Sequence, residues 1–435
     1  MASEGKIPTM HDIEWDYVGT HGILAEMGSL SKIRDFAPDM LLPSHGTPSQ
    51  NVEEWTPLLL ARLANVYHAY DWINYAQRRP SPGPVQLTPH VWQMRRAFGY
   101  GIGYLIVFDN GHAMLWDINA GETDFLENMQ KITGFKNIDV IALSHYHDDH
   151  VGGVNAVKEK YGAKLWAMEH MVDVLEHPAA YNLPCLWPQP MKVDRVLHDG
   201  GKVSFDGIPL QFFYLPGQTE YTEGMLVEAD GNRSRFDGDN VGRPLPGFPL
   251  LGHYVCRNYQ RLDGGHVHSA KKLLELKPDY VCPNHFEWNP ATPELLASYL
   301  QASEEMDGIW SQIIEQPNPE IGFDNNWASI YPYQSGGDAG ETIRYELRIR
   351  NWIDRKSRLR AVIKVPQGWT VTPSTIEVEA PPHSTNAAAG FEVTIPCSET
   401  RLNRRFVITA DIWRDGDHLG EVTEALVSMK PMKAH

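Results

Sequence analysis

Residues 143–153, Leu-Ser-His-Tyr-His-Asp-Asp-His-Val-Gly-Gly, constrain this chain more than any other stretch. Three histidines and two aspartates fill the six positions 145–150, directly after the apolar run 138–143. Such a cluster gains nothing as core, because burying unpaired charge is costly, and it gains little as ordinary surface. Histidines two apart in an extended loop can grip one metal together, and an Asp and a His just beyond them can turn towards a second. The segment therefore reads as the heart of a metal site, most simply a two-metal one. The bland alternative is a helix N-terminus rich in capping Asp, with stray histidines.

The chain has 435 residues, enough for two or three domains, and 42% of them are apolar, enough for a sizeable core. Its 13 tryptophans and 31 prolines suit a β-rich, loop-rich protein. A formal charge of −17 argues against nucleic acid as a partner, since phosphate binding needs a basic face. The four cysteines, Cys185, Cys256, Cys282 and Cys397, form no C-x-x-C pair, which argues against a Cys-based zinc site and a disulfide framework. Neither a signal peptide nor a membrane-length apolar run is visible, so the expected compartment is the cytoplasm, with a removed leader left open.

Residues 51–78 carry apolar positions at helical spacing, and Arg79-Pro-Ser-Pro-Gly-Pro84 ends that pattern as a linker. Two strands flank Asn110-Gly111, a two-residue hairpin signal. Helices are expected over 121–133, 151–161, 172–177 and 293–316, and strands over 138–143 and 163–167. This alternation implies a sheet covered by helices. From about 326 short turn-bounded segments alternate apolar and polar, which predicts a separate β-sandwich of immunoglobulin-like type. Residues 30–45 also resemble residues 270–285, both ending in Pro-x-His and both followed by a long helix.

The motif His145-x-His147-x-Asp149-His150 resembles that of the metallo-β-lactamase superfamily. In the family's order follow a hairpin ending at Asp117, Phe236-Asp-Gly-Asp239 and Pro283-Asn-His285. The resemblance covers roughly residues 90–290 and implies a four-layered αβ/βα sandwich with metals at one edge between the sheets. It gives three regions: 1–84, like the tail of a truncated second domain of this kind; 85–320, the catalytic domain; and 326–435, the β-sandwich. It implies that His145 and His147 hold one metal, that Asp149, His150 and His285 hold a second, and that Asp239 bridges them.

One position departs from the pattern. Pro216-Gly-Gln-Thr-Glu220 places Gln218 where the family has a third histidine. A neutral amide oxygen is a poorer zinc ligand than imidazole. The first metal is then weak or absent, or Glu220 or a water held by Gln218 completes its shell, or the site takes a harder ion, iron or manganese, in place of zinc. The resemblance implies a metal-dependent hydrolase of a small-molecule ester, lactone, amide or similar bond, acting through a metal-bound hydroxide that Asp149 orients. The alternatives are an iron-binding redox or oxygenase member, or a catalytically weak metal-binding protein. His253 is a candidate proton donor, and Tyr254 and Tyr259 are candidate substrate contacts. Residues 181–190 are either a lid over the metals or a packed loop. His266 and His268 read as structural, and His45 is not expected to ligate. The partial repeat leaves a face to cover, which predicts packing on the catalytic domain and a homodimer.

Overall fold

The computed structural model describes residues 20–42, 48–70, 83–94, 103–120, 123–241, 264–285, 287–314, 324, 326–401 and 404–429. Near the N-terminus, helices α1 (Thr20–Phe36) and α2 (Val52–Tyr70) flank the short antiparallel pair β1 (Met40–Leu41) and β2 (Ser49–Gln50). Helical spacing gathers Ile23 and Leu30 with Trp55, Leu59, Leu63 and Val66, and these bury against Ala302, Met306, Trp310 and Ile313 of a later helix. Each such fully buried aliphatic side chain contributes about 1.5–3 kcal/mol.

Seven strands form the first sheet in sequence order: β3 (Val85–Gln86), β4 (Val91–Gln93), β5 (Tyr104–Val107), β6 (His112–Trp116), β7 (Asn137–Ala142), β8 (Lys164–Met168) and β9 (Arg195–Leu197). Pairing is antiparallel up to β6 and parallel from β6 onward. The parallel crossovers carry helices α3 (Thr123–Thr133), α4 (Asp148–Val151), α5 (Val154–Tyr161) and α6 (Glu169–Glu176). The second sheet has six strands, again in order: β10 (Lys202–Phe205), β11 (Ile208–Tyr214), β12 (Glu223–Ala229), β13 (Asn232–Phe236), β14 (Tyr280–Cys282) and β15 (Asn289–Pro290). Helices α7 (Gly265–Leu276) and α8 (Pro293–Ile313) flank its last two strands.

The sheets meet through Ile106, Met114, Trp116, Val140 and Ala142 on one side and Phe212, Met225, Val227 and Phe236 on the other. On the far side of the second sheet, Val281 packs with Ala270 and Leu273 of α7 and Leu296 and Tyr299 of α8. Helix, sheet, sheet and helix thus stack as the four-layered αβ/βα sandwich expected. Parallel pairing of β6 with β7 and of β13 with β14 sends the carboxyl ends of these strands into loops that carry Asp117, His145, Asp239 and His285.

The two copies of the repeat follow the same local path. Ala37 and Lys277, at equivalent positions, both end a helix with φ of 47°. Each donates its N–H four residues back, to Ile33 O and Leu273 O, both at 3.1 Å. A strand then follows each, β1 and β14.

Three local expectations change. The hairpin turn is one residue longer than Asn110-Gly111 suggested: Phe108 N–H still pairs with His112 O at 2.9 Å, and Gly111 takes φ of 88° to close the turn. The helix expected over 151–161 breaks at Gly152-Gly153, because Gly153 N–H donates to Ile118 O at 2.9 Å, and a Cβ there would lie 2.6 Å from Asn119 O. The division of the chain also differs. One compact unit is Met1–Glu176 with Pro184–Phe323; the other is Asp324–His435 with His177–Leu183, a segment expected to belong to the catalytic domain.

The second unit has a four-stranded sheet, β16 (Ala328–Tyr331), β18 (Thr342–Asn351), β22 (Ser384–Thr394) and β20 (Thr370–Thr372), in that order. Its five-stranded sheet runs β17 (Gln334–Gly337), β24 (Asp417–Met429), β23 (Arg405–Arg414), β19 (Ser357–Lys364) and β21 (Thr375–Ala380). Strict alternation of burial along β19 and β21 leaves one face of this sheet apolar, as in a sandwich. Among the described residues no helix is long and apolar enough to cross a membrane.

At the end of the first unit opposite the motif loops, His90 joins three turns. Its backbone N–H donates to Asp230 Oδ2 (3.0 Å), its Nδ1 lies 2.6 Å from Asp230 Oδ1, and its Nε2 lies 3.2 Å from Asp109 Oδ1. Burial pulls the His90 pKa down, but Asp230 and Asp109 outweigh it and raise the value above 6.5. A raised folded-state pKa stabilises fully below the unfolded value of about 6.5, and this is lost as pH rises through the folded value. The difference in melting temperature between wild type and His90→Gln is therefore expected to narrow from pH 6 to pH 9. A constant gap across that range would contradict the clip.

Candidate metal centre

The site is built on Asp117, the residue after β6, which holds φ of 58° and is buried. Its carboxylate accepts from Ser144 N–H (2.7 Å), Ser144 Oγ (2.6 Å) and Asn284 Nδ2 (2.7 Å), and pairs with His150 Nδ1 (3.0 Å). Ser144 Oγ, its proton engaged by Asp117, lies 2.9 Å from His145 Nδ1. With Nδ1 of His145 and His150 engaged as donors, the Nε2 lone pair of each is left for a ligand. Gly238, with φ of 61°, permits the close approach of the next loop, since a Cβ there would lie 2.5 Å from Ser144 Cβ.

The Nε2 atoms converge on Asp239. Its Oδ2 lies 3.1 Å from His285 Nε2, 3.3 Å from His150 Nε2 and 3.9 Å from His145 Nε2. Asp149 approaches from the rim: Oδ2 is 3.1 Å from His285 Nε2, and Oδ1 is 3.5 Å from His150 Nε2. Two donor sets result among the described residues, His145 with His150 and Asp239, and Asp149 with His150 and His285. His147 packs edge-on against His145 with ring centroids 4.4 Å apart, but it belongs to neither set.

Gln218, the departure from the family pattern, is brought to the same place. Its Nε2 donates to Asp239 Oδ2 (2.9 Å), and its backbone N–H donates to Asn240 Oδ1 (3.0 Å). Glu220 is buried nearby in sequence but is in neither donor set. His266 pairs with Tyr299 OH at 3.0 Å, in keeping with a structural role. His45, His253, Tyr254 and Tyr259 lie outside the described residues.

Charge is divided unevenly here. Burial pulls the Asp149 and Asp239 carboxyls upward, yet the facing His150 and His285 overcome it and hold both well below the usual carboxylate range. Burial, then the neighbouring His150 and His147, pushes His145 well below its ordinary value. Burial also opposes a charged His285, but Asp239 and Asp149 prevail and push it up to about 10. The buried carboxylate of Asp239 and the half-buried one of Asp149 thus draw positive charge to the same atoms, and protons and a divalent cation compete for them.

A metal ion fits this set. His145 Nε2, His150 Nε2, Gln218 Oε1 and Asp239 Oδ1 are buried without a hydrogen-bond partner, which is costly unless something else engages them. Imidazole nitrogen mixed with carboxylate oxygen suits zinc and similar divalent ions.

Residues 104–285 match the family model described as the metallo-beta-lactamase superfamily. The chain is 24% identical over 266 residues to a UPF0173 metal-dependent hydrolase of Myxococcus xanthus, covering 56% of this chain and 91% of that protein. It is 32% identical over 121 residues to a hydroxyacylglutathione hydrolase of Aeromonas hydrophila, covering 27% of this chain and 40% of that one. Among solved structures, a beta-lactamase from Chitinophaga pinensis superposes with a TM-score of 0.43 at 20% identity, over 55% of this chain and 97% of that one.

Because Asp117 orients two imidazoles and Asn284, Asp117→Asn is expected to weaken metal binding by about 10–100-fold. Titration against a chelator of known affinity measures this, with circular dichroism as the check on folding. Unchanged affinity in a folded variant would refute the orienting role.

Proposed function

For a chain whose residues 104–285 belong to the metallo-β-lactamase superfamily, we propose a metal-dependent hydrolase of a small-molecule ester, thioester, lactone or amide. The observation that carries this reading is the convergence of His145, His150, His285 and Gln218 on the buried carboxylate of Asp239. Asp149, whose side chain is 28% exposed where that of Asp239 is 2% exposed, is the carboxylate open to a reactant.

His145, Asp149, His150, Asp239 and His285, the members of the two donor sets, would hold the metal, zinc being the ion these donors suit best. When bound, the metal supplies Lewis acidity towards a carbonyl and lowers the pKa of water. Asp149 then positions the attacking water and accepts its proton. Asp117 and Ser144 keep the His145 and His150 rings aligned. Gln218 holds the Asp239 carboxylate by its amide N–H, a contact that imidazole at this position would replace.

Metal analysis of protein purified without added metal, followed by turnover on a panel of acyl esters, thioesters and lactones, tests the proposal. His150→Ala and Asp239→Ala are expected to lose bound metal and to lower kcat/KM by at least about a hundredfold, as removal of a group used in the transition state does. Wild-type protein with no metal above background, or variants as active as wild type, would refute it. Gln218→His adds an imidazole beside His145 and is expected to raise the metal bound per chain. The same analysis gives that stoichiometry, and no rise would mean that Gln218 does not occupy a ligand position.

A further inference from the structure

The two copies of the repeat keep one register through four elements. In the first copy Met40 pairs with Gln50 and Leu41 with Ser49; in the second Tyr280 pairs with Pro290 and Val281 with Asn289, a constant offset of 240 residues (40 to 280, 50 to 290). A helix precedes and follows each pair, α1 and α2 in one copy, α7 and α8 in the other. The offset therefore states what each position of the first copy would touch if its domain were whole.

Neighbouring residues of a strand face opposite ways. In β14, Val281 turns to α7 and α8, while Tyr280 and Cys282 turn into the core between the two sheets. In β1, Leu41 likewise turns to the core shared by α1, α2 and α8. Met40 and Leu42 then point where a facing sheet should lie, and they are 45% and 72% exposed. Phe36, at the end of α1, is 83% exposed, whereas its counterpart Leu276 packs on Phe213, Leu215 and Leu226 of the second sheet. Among the described residues β1 and β2 form a sheet of two strands with no third. The half-copy is thus a helix layer and a sheet layer whose second face is apolar and open.

We propose that a second copy of this chain covers that face. Two such halves meeting about a two-fold axis stack as helix, sheet, sheet and helix, the layering that the catalytic copy achieves within one chain. The occupant follows from the face itself. It is only two strands wide, it needs an apolar sheet face backed by helices, and its own twin has that width and chemistry. Charge does not oppose the contact: between residues 20 and 42, Lys32 and Arg34 offset two of the three acids Glu26, Asp35 and Asp39, although the whole chain carries −17. Phe36, Met40 and Leu42 form the centre of the contact, and covering them removes an apolar face and a sheet edge from water. The pairing is independent of the metal-hydrolase reading.

Sedimentation equilibrium of the full-length chain between about 1 and 100 µM, the weak end of the range for protein interfaces, tests this. Wild type is expected to shift to twice the protomer mass, and the double variant Phe36→Asp with Leu42→Asp to stay monomeric. Both side chains are exposed in the protomer, so circular dichroism of the variant should match wild type. Ile132→Asp changes another exposed apolar residue, on α3, and should leave the dimer intact. Peroxide oxidation of wild type gives a second reading that needs no substitution. The Met40 thioether should oxidise about threefold or more slowly at the top of the concentration range than at the bottom, because burial shields sulfur. Dimers that persist in the double variant would place the contact elsewhere and overturn the proposal. A monomeric wild type would overturn it too, with Met40 either open to peroxide or shielded at every concentration by its own chain.

Discussion

The buried carboxylate of Asp117 is the interaction on which the rest of the site depends. It collects donors from the motif loop, Ser144 and His150, and from Asn284 after β14, and so pins two stretches of chain that are distant from each other in sequence at one point between the sheets. Burying a lone carboxylate is costly, and the cost is offset only if its lone pairs are engaged. Burial does raise the Asp117 pKa, with His150 and Ser144 opposing it. Because each donor also belongs to the motif or its neighbour, satisfying Asp117 and aiming the imidazoles are the same event.

The second sheet ends in a buried ion pair that plays a related part. Arg235 and Asp237 form a fully buried ion pair at 2.8 Å directly before Gly238 and Asp239. Burial pushes Asp237 up to about 7 despite the guanidinium beside it. Breaking such a pair leaves an uncompensated charge in the interior, typically a loss of about 3–5 kcal/mol. The loop that delivers Asp239 therefore starts from a point with little freedom to move, which suits a residue whose Oδ2 lies 3.1, 3.3 and 3.9 Å from the Nε2 atoms of three imidazoles.

Much of this was legible in the chain itself. His145, Asp149, His150, Asp239 and His285 were all identified from motif and order, and the structure brings them together. Gln218 was identified as the departure, though not its contact with Asp239. The orienting role of Asp117 was not legible: a single Asp after a hairpin strand looks like any turn residue until the segments that donate to it are in place. The helix expected across Gly152 and Gly153 failed for a non-local reason, the hydrogen bond to Ile118. Residues 181–190, whose proline and aromatic content fits either a lid or a packed loop, are divided between two units of the chain after Leu183, and no periodicity announces such a division.

Sequence alone determined which atoms this protein can offer a metal and which strands deliver them, because ligand spacing and strand alternation are local properties written in consecutive residues. Tertiary structure alone decided that Asp239 is the point of convergence, that Asp117 aims the rings, and that a left-handed Cys185 lies against the motif. Each of these depends on parallel pairing between strands that many intervening residues separate, and on burial that turns a few hydrogen bonds into constraints too costly to break.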